Sequence, residues 1–546
     1  MEFNSSEADP WRPDYISRQL RVLGAERPTV SAEAAAGLRG CYENPYRSYH
    51  DELHGNFMGQ EDLPEALRSA LSPDAREWAG AAVALAGLWH DALQEPIDAQ
   101  PNSAIGAWHD YIIELIGNYA TCERTVENDR PIFRTYLTEA GMYDPTMTMV
   151  AQIFGFDEQK LSQGIMHNQG GKEFGSALAA AKFLAIEGTP LHKIVAVTAC
   201  IAGTVPFRPA RGNAFDDAPD GDMGELAQRV EAVLRSSSEQ NAWAMTNDIM
   251  LLTVHLANRD ISQFIEPDGF AEFINGGRKV KKEEVPELRA LLEPGLKITM
   301  EELVRIASLE RSAPLLYQWI GSGEGAVKAA DVPHFYLPRD EQGRPQLGES
   351  YPSQPVYEQA ARHAANNTNL ATLFFQAHEA GIVFAYCLAC LLGEADAEVP
   401  GFVDANAWRD IDQPVRQAGA QFTDREQAVC MTLLHGIRQE HVDEATSMRS
   451  PIAGTLLAAL GANGIHELSG KIQHIRREQG ATGHTNAFAN PVIADAVTSA
   501  IVQGIGQQNF NLIVGELQHV ARTVAKNPAR ATRLGQLLTH YSTGQR

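Results

Sequence analysis

His50 and His54 stand four residues apart in CYENPYRSYHDELHGNFM. On a helix that spacing puts both imidazoles on one face about a turn apart, so both reach a single site. A second pair, His90 and Asp91, closes the apolar pattern REWAGAAVALAGLWHDAL. Adjacent side chains diverge, so this His-Asp pair forms a site only if a third element brings another ligand between them. Asp260, which ends the pattern NAWAMTNDIMLLTVHLANRD, is the candidate, and Asp248 on the same pattern is its substitute. Imidazole nitrogen combined with carboxylate oxygen suits a divalent first-row metal, and an open coordination position makes water acidic enough to react near neutral pH. The expected cofactor is therefore a divalent ion of manganese, magnesium, iron, zinc, nickel or cobalt.

The elements that carry these residues read as helices. Apolar residues recur at helical spacing with alanine-rich interiors in PEALRSALS, REWAGAAVALAGLWHDAL and GSALAAAKFLAIEG, and alternating β-branched stretches are scarce. The fold class is all-α. Residues 1–37 read as a lead-in, 38–330 as a metal-binding helical domain, 331–358 as a linker marked by five prolines, and 359–546 as a second helical domain. Asp260 lies 169 residues beyond Asp91, so the segment between them is expected to fold out as inserted helices. The stretch PFRPARGNAFDDAPDGDMG, near 206–224, has the composition of a surface loop.

At 546 residues the chain exceeds what one hydrophobic core supports. A net charge of −24 repels nucleic-acid backbones and anionic membranes, so neither is an expected partner. A bound metal or a local arginine pair reverses that field within one pocket, which leaves a small phosphorylated substrate open. No run of 18 apolar residues occurs, and the polar, acidic start MEFNSSEADPWRPDY is unlike a signal peptide, so the expected location is cytoplasmic. Six cysteines at 41, 122, 200, 387, 390 and 430 form no disulfide framework. Cys387 and Cys390, within GIVFAYCLACLLG, read as small buried hydrophobes.

The order His, His-Asp, Asp on successive helices resembles the HD superfamily of metal-dependent phosphohydrolases. Tyr42, Glu43, Arg47, Tyr49, His50 and His54 resemble the opening motif of one predicted HD phosphohydrolase group. The His-Asp pair that follows in that group matches His90 and Asp91, and Asn102 with Ser103 approximates its next Asn-and-Ser stretch. The likeness is close over residues 38–120, weaker to 265, and does not reach the C-terminal domain. It implies an HD-type helical bundle in which His54, His90, Asp91 and Asp260 hold the metal. His50 is then a second ligand or a substrate-side acid.

Arg47 and Arg208 are candidate phosphate clamps, because a guanidinium binds two phosphate oxygens at once, with structural ion pairs as the alternative. His109 and Asp110 repeat the His-Asp string within AIGAWHDYIIELIG, where a surface or interhelix contact is the expectation. His167 and Lys172 in IMHNQGGKEFG read as a helix-joining turn, with a glycine-rich anion loop as the alternative. His435, His441 and Asp443 read as a solvated helix end. The chain has no phosphate-binding G-x-x-x-x-G-K-[ST], no G-x-S-x-G and no H-E-x-x-H, and His378-Glu379 lacks the second histidine of the last. The expected function is metal-activated hydrolysis of a phosphomonoester or phosphodiester, nucleotide-like in kind. An HD-type diiron oxygenase and a non-catalytic binding or effector protein on a degenerate scaffold are the alternatives.

Overall fold

Short polar residues followed by proline begin several helices of this protein, and runs of alanine and glycine carry them through its interior. The computed structural model describes residues 9–42, 52–93, 109–127, 130–166, 170–205, 223–237, 239–260, 334–346, 351, 353–393, 426, 429–430, 433–434, 451–478, 488, 490–523 and 527–542. These fall into two units, one with the described residues up to 260 and from 334 to 365, the other with those from 366 onward.

In chain order the first unit holds α1 (Pro13–Val22), α2 (Ala32–Gly40), α3 (Glu52–Met58), α4 (Glu65–Ala70), α5 (Pro73–Trp89) and α6 (Asp110–Ile116). The strands β1 (Ala120–Glu127) and β2 (Arg130–Leu137) follow, then α7 (Glu139–Tyr143), α8 (Pro145–Phe154), α9 (Glu158–Gln163) and β3 (Ile165–Met166). The unit continues with α10 (Gly171–Ile186), α11 (Leu191–Gly203), α12 (Met223–Ser236) and α13 (Ala242–Asp260). Later in the chain come α14 (Gln354–Leu391), which starts among residues of the first unit, and then α15 (Pro451–Glu478), α16 (Pro491–Thr523) and α17 (Pro528–Ser542). The protein is mainly helical.

The middle of the first unit is α5. Ser72 caps it by accepting from Ala75 N, and Pro73 occupies the first turn, where no intrahelical N–H bond is lost. Its alanines are buried on nearly every side, and α1, α3, α10, α11 and α13 all pack on it. Small residues let these helices approach closely. A Cβ at Gly87 would stand 2.0 Å from Met58 O, so the end of α3 meets the last turn of α5 backbone to backbone at that glycine, and a Cβ at Gly55, elsewhere on α3, would stand 2.5 Å from the Trp11 ring.

Three sequence expectations change here. Part of the lead-in belongs to the core: Trp11, Ile16, Leu20 and Leu23 are buried, and Pro13 starts a helix instead of breaking one. Next, the described helices between Asp91 and Asp260 are core elements and not an insertion folded outward. Helices α10 and α11 are apolar on almost all faces, pack on the helices that bear the candidate ligands, and form the interior of the unit. The segment also contains an antiparallel sheet ordered β1-β2-β3, with Cys122 opposite Thr135 and Arg134 opposite Met166. Thr121, Thr125 and Val126 supply the β-branched residues of β1. Last, part of the proposed linker is built into the first unit. Phe335 and Tyr336 are buried, and the bridges Tyr336 to Tyr351 and Arg339 to Pro345 fold the segment back on itself.

The second unit has its own apolar core, in which the Phe510 ring lies tilted to Phe384 at 6.3 Å and edge-on to Tyr541 at 5.6 Å between ring centroids. Cys387 is wholly buried there and Cys390 lies at its margin. Among the described residues, Thr372–Leu391 is the one helix long and apolar enough to cross a membrane, and 81% of that window is buried inside the protein.

The α3–α5 crossing makes a testable demand. Gly87→Ala forces apart two backbones in contact and should cost about 3 kcal/mol in urea unfolding. Gly470→Ala, where a Cβ meets nothing within 4 Å, should change stability by less than about 1 kcal/mol.

Candidate metal centre

The short helix α3 is held at its middle and at its end. Against Gly55 lie the rings of Trp11 and Tyr42, 4.9 Å apart between centroids, and the Tyr42 hydroxyl donates to Leu88 O at 2.8 Å in the last turn of α5. At its end Tyr15 donates to Gly59 O at 2.7 Å. Arg259 donates to Phe57 O and, at 3.0 Å, to Gln60 O, with its guanidinium 4.9 Å over the Phe57 ring. The last turn of α13 is thereby fastened to the last turn of α3, and Asp260 follows Arg259. His90 is the C-cap of α5. One close crossing and one arginine clamp thus bring three helix ends to the same point.

His54, His90, Asp91 and Asp260 meet there, with one ligand atom from each lying within 4.8 Å of all the others. His54 Nε2 is 3.1 Å from His90 Nε2, 3.3 Å from Asp91 Oδ2 and 3.3 Å from Asp260 Oδ1. His90 Nε2 is 2.8 Å from Asp91 Oδ2 and 3.6 Å from Asp260 Oδ1. On its other side His90 Nδ1 is 2.7 Å from Gly87 O, which only accepts, so Nδ1 carries the proton. In the neutral ring Nε2 is then a bare lone pair aimed at the cluster, the arrangement that orients a histidine toward a metal. Bonds of about 2.1 Å place neighbouring donors about 3.0 Å apart in an octahedral shell and about 3.4 Å apart in a tetrahedral one. The observed separations bracket those values.

Charge points the same way. Lys172, at the start of α10, is buried with its ammonium 2.9 Å from Asp91 Oδ1 and 3.4 Å from Glu173 Oε1. Three carboxylates against one ammonium leave two negative charges, the complement of a divalent cation. Burial opposes charge on His90, yet the Asp91 and Asp260 carboxylates push its imidazole up to about 10. Burial also opposes charge on Asp260, and the two imidazoles outweigh it, holding the carboxyl below the usual range. Lys172 is raised by Asp91 and Glu173 against its own burial. The site draws positive charge inward. Of the four grouped side chains only Asp260 reaches solvent appreciably, at 18% exposure, so access is from its side.

The structure separates the two aspartates of α13. Asp248 accepts from Ser72 N at 2.9 Å and Ser72 Oγ at 2.5 Å, bracing the start of α5 far from the cluster. His109 caps α6 by accepting from Tyr111 N at 3.3 Å, and Asp110 begins that helix. In the second unit Glu379 accepts from Gln473 Nε2 at 3.2 Å and His378 stacks on Phe374. His50, Arg47, Arg208, Glu43, Tyr49, Asn102, Ser103, His167, His435, His441 and Asp443 lie outside the described residues. In the sequence Lys172 reads as part of a helix-joining turn or an anion loop, because the glycines before it dominate the pattern, whereas it lies in the first turn of α10. Gly170 turns with a φ of 87° to cap α10, Gly171 opens the helix so close to β3 that a Cβ would stand 2.6 Å from Ile165 O, and Lys172 follows with its ammonium on Asp91.

Comparison with models of known protein families, with curated proteins and with solved structures finds no match for this chain.

Single substitutions distinguish the roles. His90→Ala and Asp260→Asn should each weaken divalent-metal binding by at least about 100-fold, measured by chelator competition. Asp248→Asn should keep wild-type metal affinity and cost about 1 kcal/mol of stability through the Ser72 cap.

Proposed function

We propose that this chain is a metal-dependent hydrolase of phosphate esters with an HD-type site. The observation that carries the reading is the convergence of four metal-ligating groups, two of them unlike in charge and type from the other two, on one buried point around a histidine whose proton is committed to Gly87 O. The order of those ligands along the chain and the Tyr42-to-His54 motif support the HD type in particular. A divalent ion held by His54, His90, Asp91 and Asp260 supplies Lewis acidity toward a phosphoryl oxygen and toward water.

The chain's own residues supply the rest. Lys172 engages Oδ1 of Asp91, which leaves Oδ2 turned to His54 and His90. The carboxylate is therefore pre-oriented, and its charge is partly balanced before any ligand arrives. Asp260 stands on the solvent side, where an ester would enter. Hydrolysis joins a water oxygen to phosphorus and breaks the P–O bond to the alcohol, which leaves with a proton; His50 is the proposed donor, and Arg47 and Arg208 the proposed phosphate contacts. The proposed substrate is a small phosphomonoester or phosphodiester, nucleotide-like in kind; the net charge of −24 disfavours only extended polyanions.

Metal analysis and a substrate panel test this together. Purified protein should carry about one divalent ion per chain and hydrolyse p-nitrophenyl phosphate or its diester. A chelator should abolish turnover, and manganese or cobalt should restore it. Two irons per chain with substrate-dependent O₂ uptake would replace this reading with a diiron oxygenase. A protein that binds no metal would leave a non-catalytic scaffold.

A further inference from the structure

Two asparagines of α13, Asn247 and Asn258, each hold the backbone of one residue in the segment that follows much later in the chain. Asn258 Oδ1 accepts from His334 N at 2.6 Å, and its Nδ2 donates to His334 O at 3.1 Å. Asn247 Oδ1 accepts from Arg339 N at 2.9 Å, and its Nδ2 donates to Arg339 O at 2.6 Å. Each carboxamide thus satisfies both the N–H and the C=O of a single residue, as a neighbouring strand would. The Tyr336 hydroxyl adds a bond to Asn247 Oδ1 at 2.8 Å.

The spacing fits geometrically. Asn247 and Asn258 are eleven residues apart, which is about 16.5 Å along a helix and within about 20° of three full turns. His334 and Arg339 are five residues apart, also about 16.5 Å in an extended chain. The register is unique in one direction. A slip of one residue toward the N-terminus would present Pro338 to Asn247 and Pro333 to Asn258, and neither proline has an N–H to give.

We propose that residues 334–346 are a positioning strap of the metal centre, docked through their backbone on this asparagine pair. The strap holds the last turn of α13, and Asp260 with it, against α3. Asn258 lies two residues before Asp260 and next to Arg259, the residue that clamps Phe57 and Gln60. The C-terminal turn of α13 is therefore gripped from both sides, by α3 through Arg259 and by the strap through Asn258. Because the backbone is what is read, the side chains of His334 and Arg339 are dispensable for docking, whereas their N–H groups are not. The metal part of this proposal rests on reading the four-residue cluster as a metal site.

The test compares alanine with proline at the two docked positions in the full-length chain. Cobalt(II) affinity, the visible spectrum of the cobalt protein and the thermal midpoint of the metal-free protein are measured for His334→Ala, His334→Pro, Arg339→Ala, Arg339→Pro, Asn247→Ala and Asn258→Ala. Expected are cobalt affinities within about twofold of wild type for the alanine variants at 334 and 339, and a loss of about tenfold or more with an altered spectrum for His334→Pro and Asn258→Ala. Asn247→Ala, at the far end, should lower the thermal midpoint as much as Asn258→Ala while disturbing cobalt less. Wild-type affinity and spectrum in His334→Pro and Asn258→Ala would overturn the positioning role, as would equal effects on cobalt from the two asparagines. Absence of cobalt binding in the wild type would sink the metal-site reading itself. The docking mode is then judged on the metal-free midpoints, where equal values for the alanine and proline pairs would overturn it.

Discussion

Buried negative charge that has to be met by positive charge is the constraint around which the first unit is organised. His90 donates its Nδ1–H to Gly87 O, so Nε2 is the atom turned to Asp91 and Asp260, and those two carboxylates favour positive charge on it. Such an arrangement is costly in a low dielectric unless a cation enters it or the surroundings hold it by force. The protein does the second through the glycine crossing of α3 on α5, the Tyr42 bond to Leu88 O and the Arg259 clamp. Lys172 contributes a permanent positive charge, held on Asp91 Oδ1, while Oδ2 of the same carboxylate is turned to His54 and His90. His54, His90, Asp91 and Asp260 together could hold a metal ion.

The parts legible in the sequence were those whose chemistry conflicts with their surroundings. His90 and Asp91 end an apolar helix, and Asp260 ends another, so polarity in an apolar context marked them. His54 stood out through its spacing from His50 and the motif around it. Helices were legible for the same reason throughout, since alanine-rich patterns with short polar starts leave little choice of local structure. Asp260 and Asp248 could not be separated, because both sit on one helical pattern and only the packing of α5 decides which end meets the histidines.

What stayed hidden is whatever depends on partners distant in sequence. Lys172 is an ordinary lysine after two glycines until α10 is laid beside α5. Helices α10 and α11 read as an insertion because they are distant in the chain from the ligands they pack beside, and their all-round apolar character is the signal of a core position. The segment after 331 looked like a linker because prolines break any internal period. Its hydrogen bonds come instead from asparagine side chains on another element, which no local pattern reveals.

Helix α13 touches every part of this arrangement: Asp248 braces the first turn of α5, Asn247 and Asn258 take the later segment, Arg259 closes on α3, and Asp260 completes the cluster. Those contacts are spaced along one rigid rod, at about 1.5 Å and 100° per residue. The rod therefore acts as a caliper. Substitutions along it alter one contact at a time, but a single-residue deletion between 248 and 260 would swing every later group about a third of a turn away from its partner. Over evolutionary time the length of this stretch is thus more constrained than its wording, and relatives of this chain should diverge in letters here before they diverge in count.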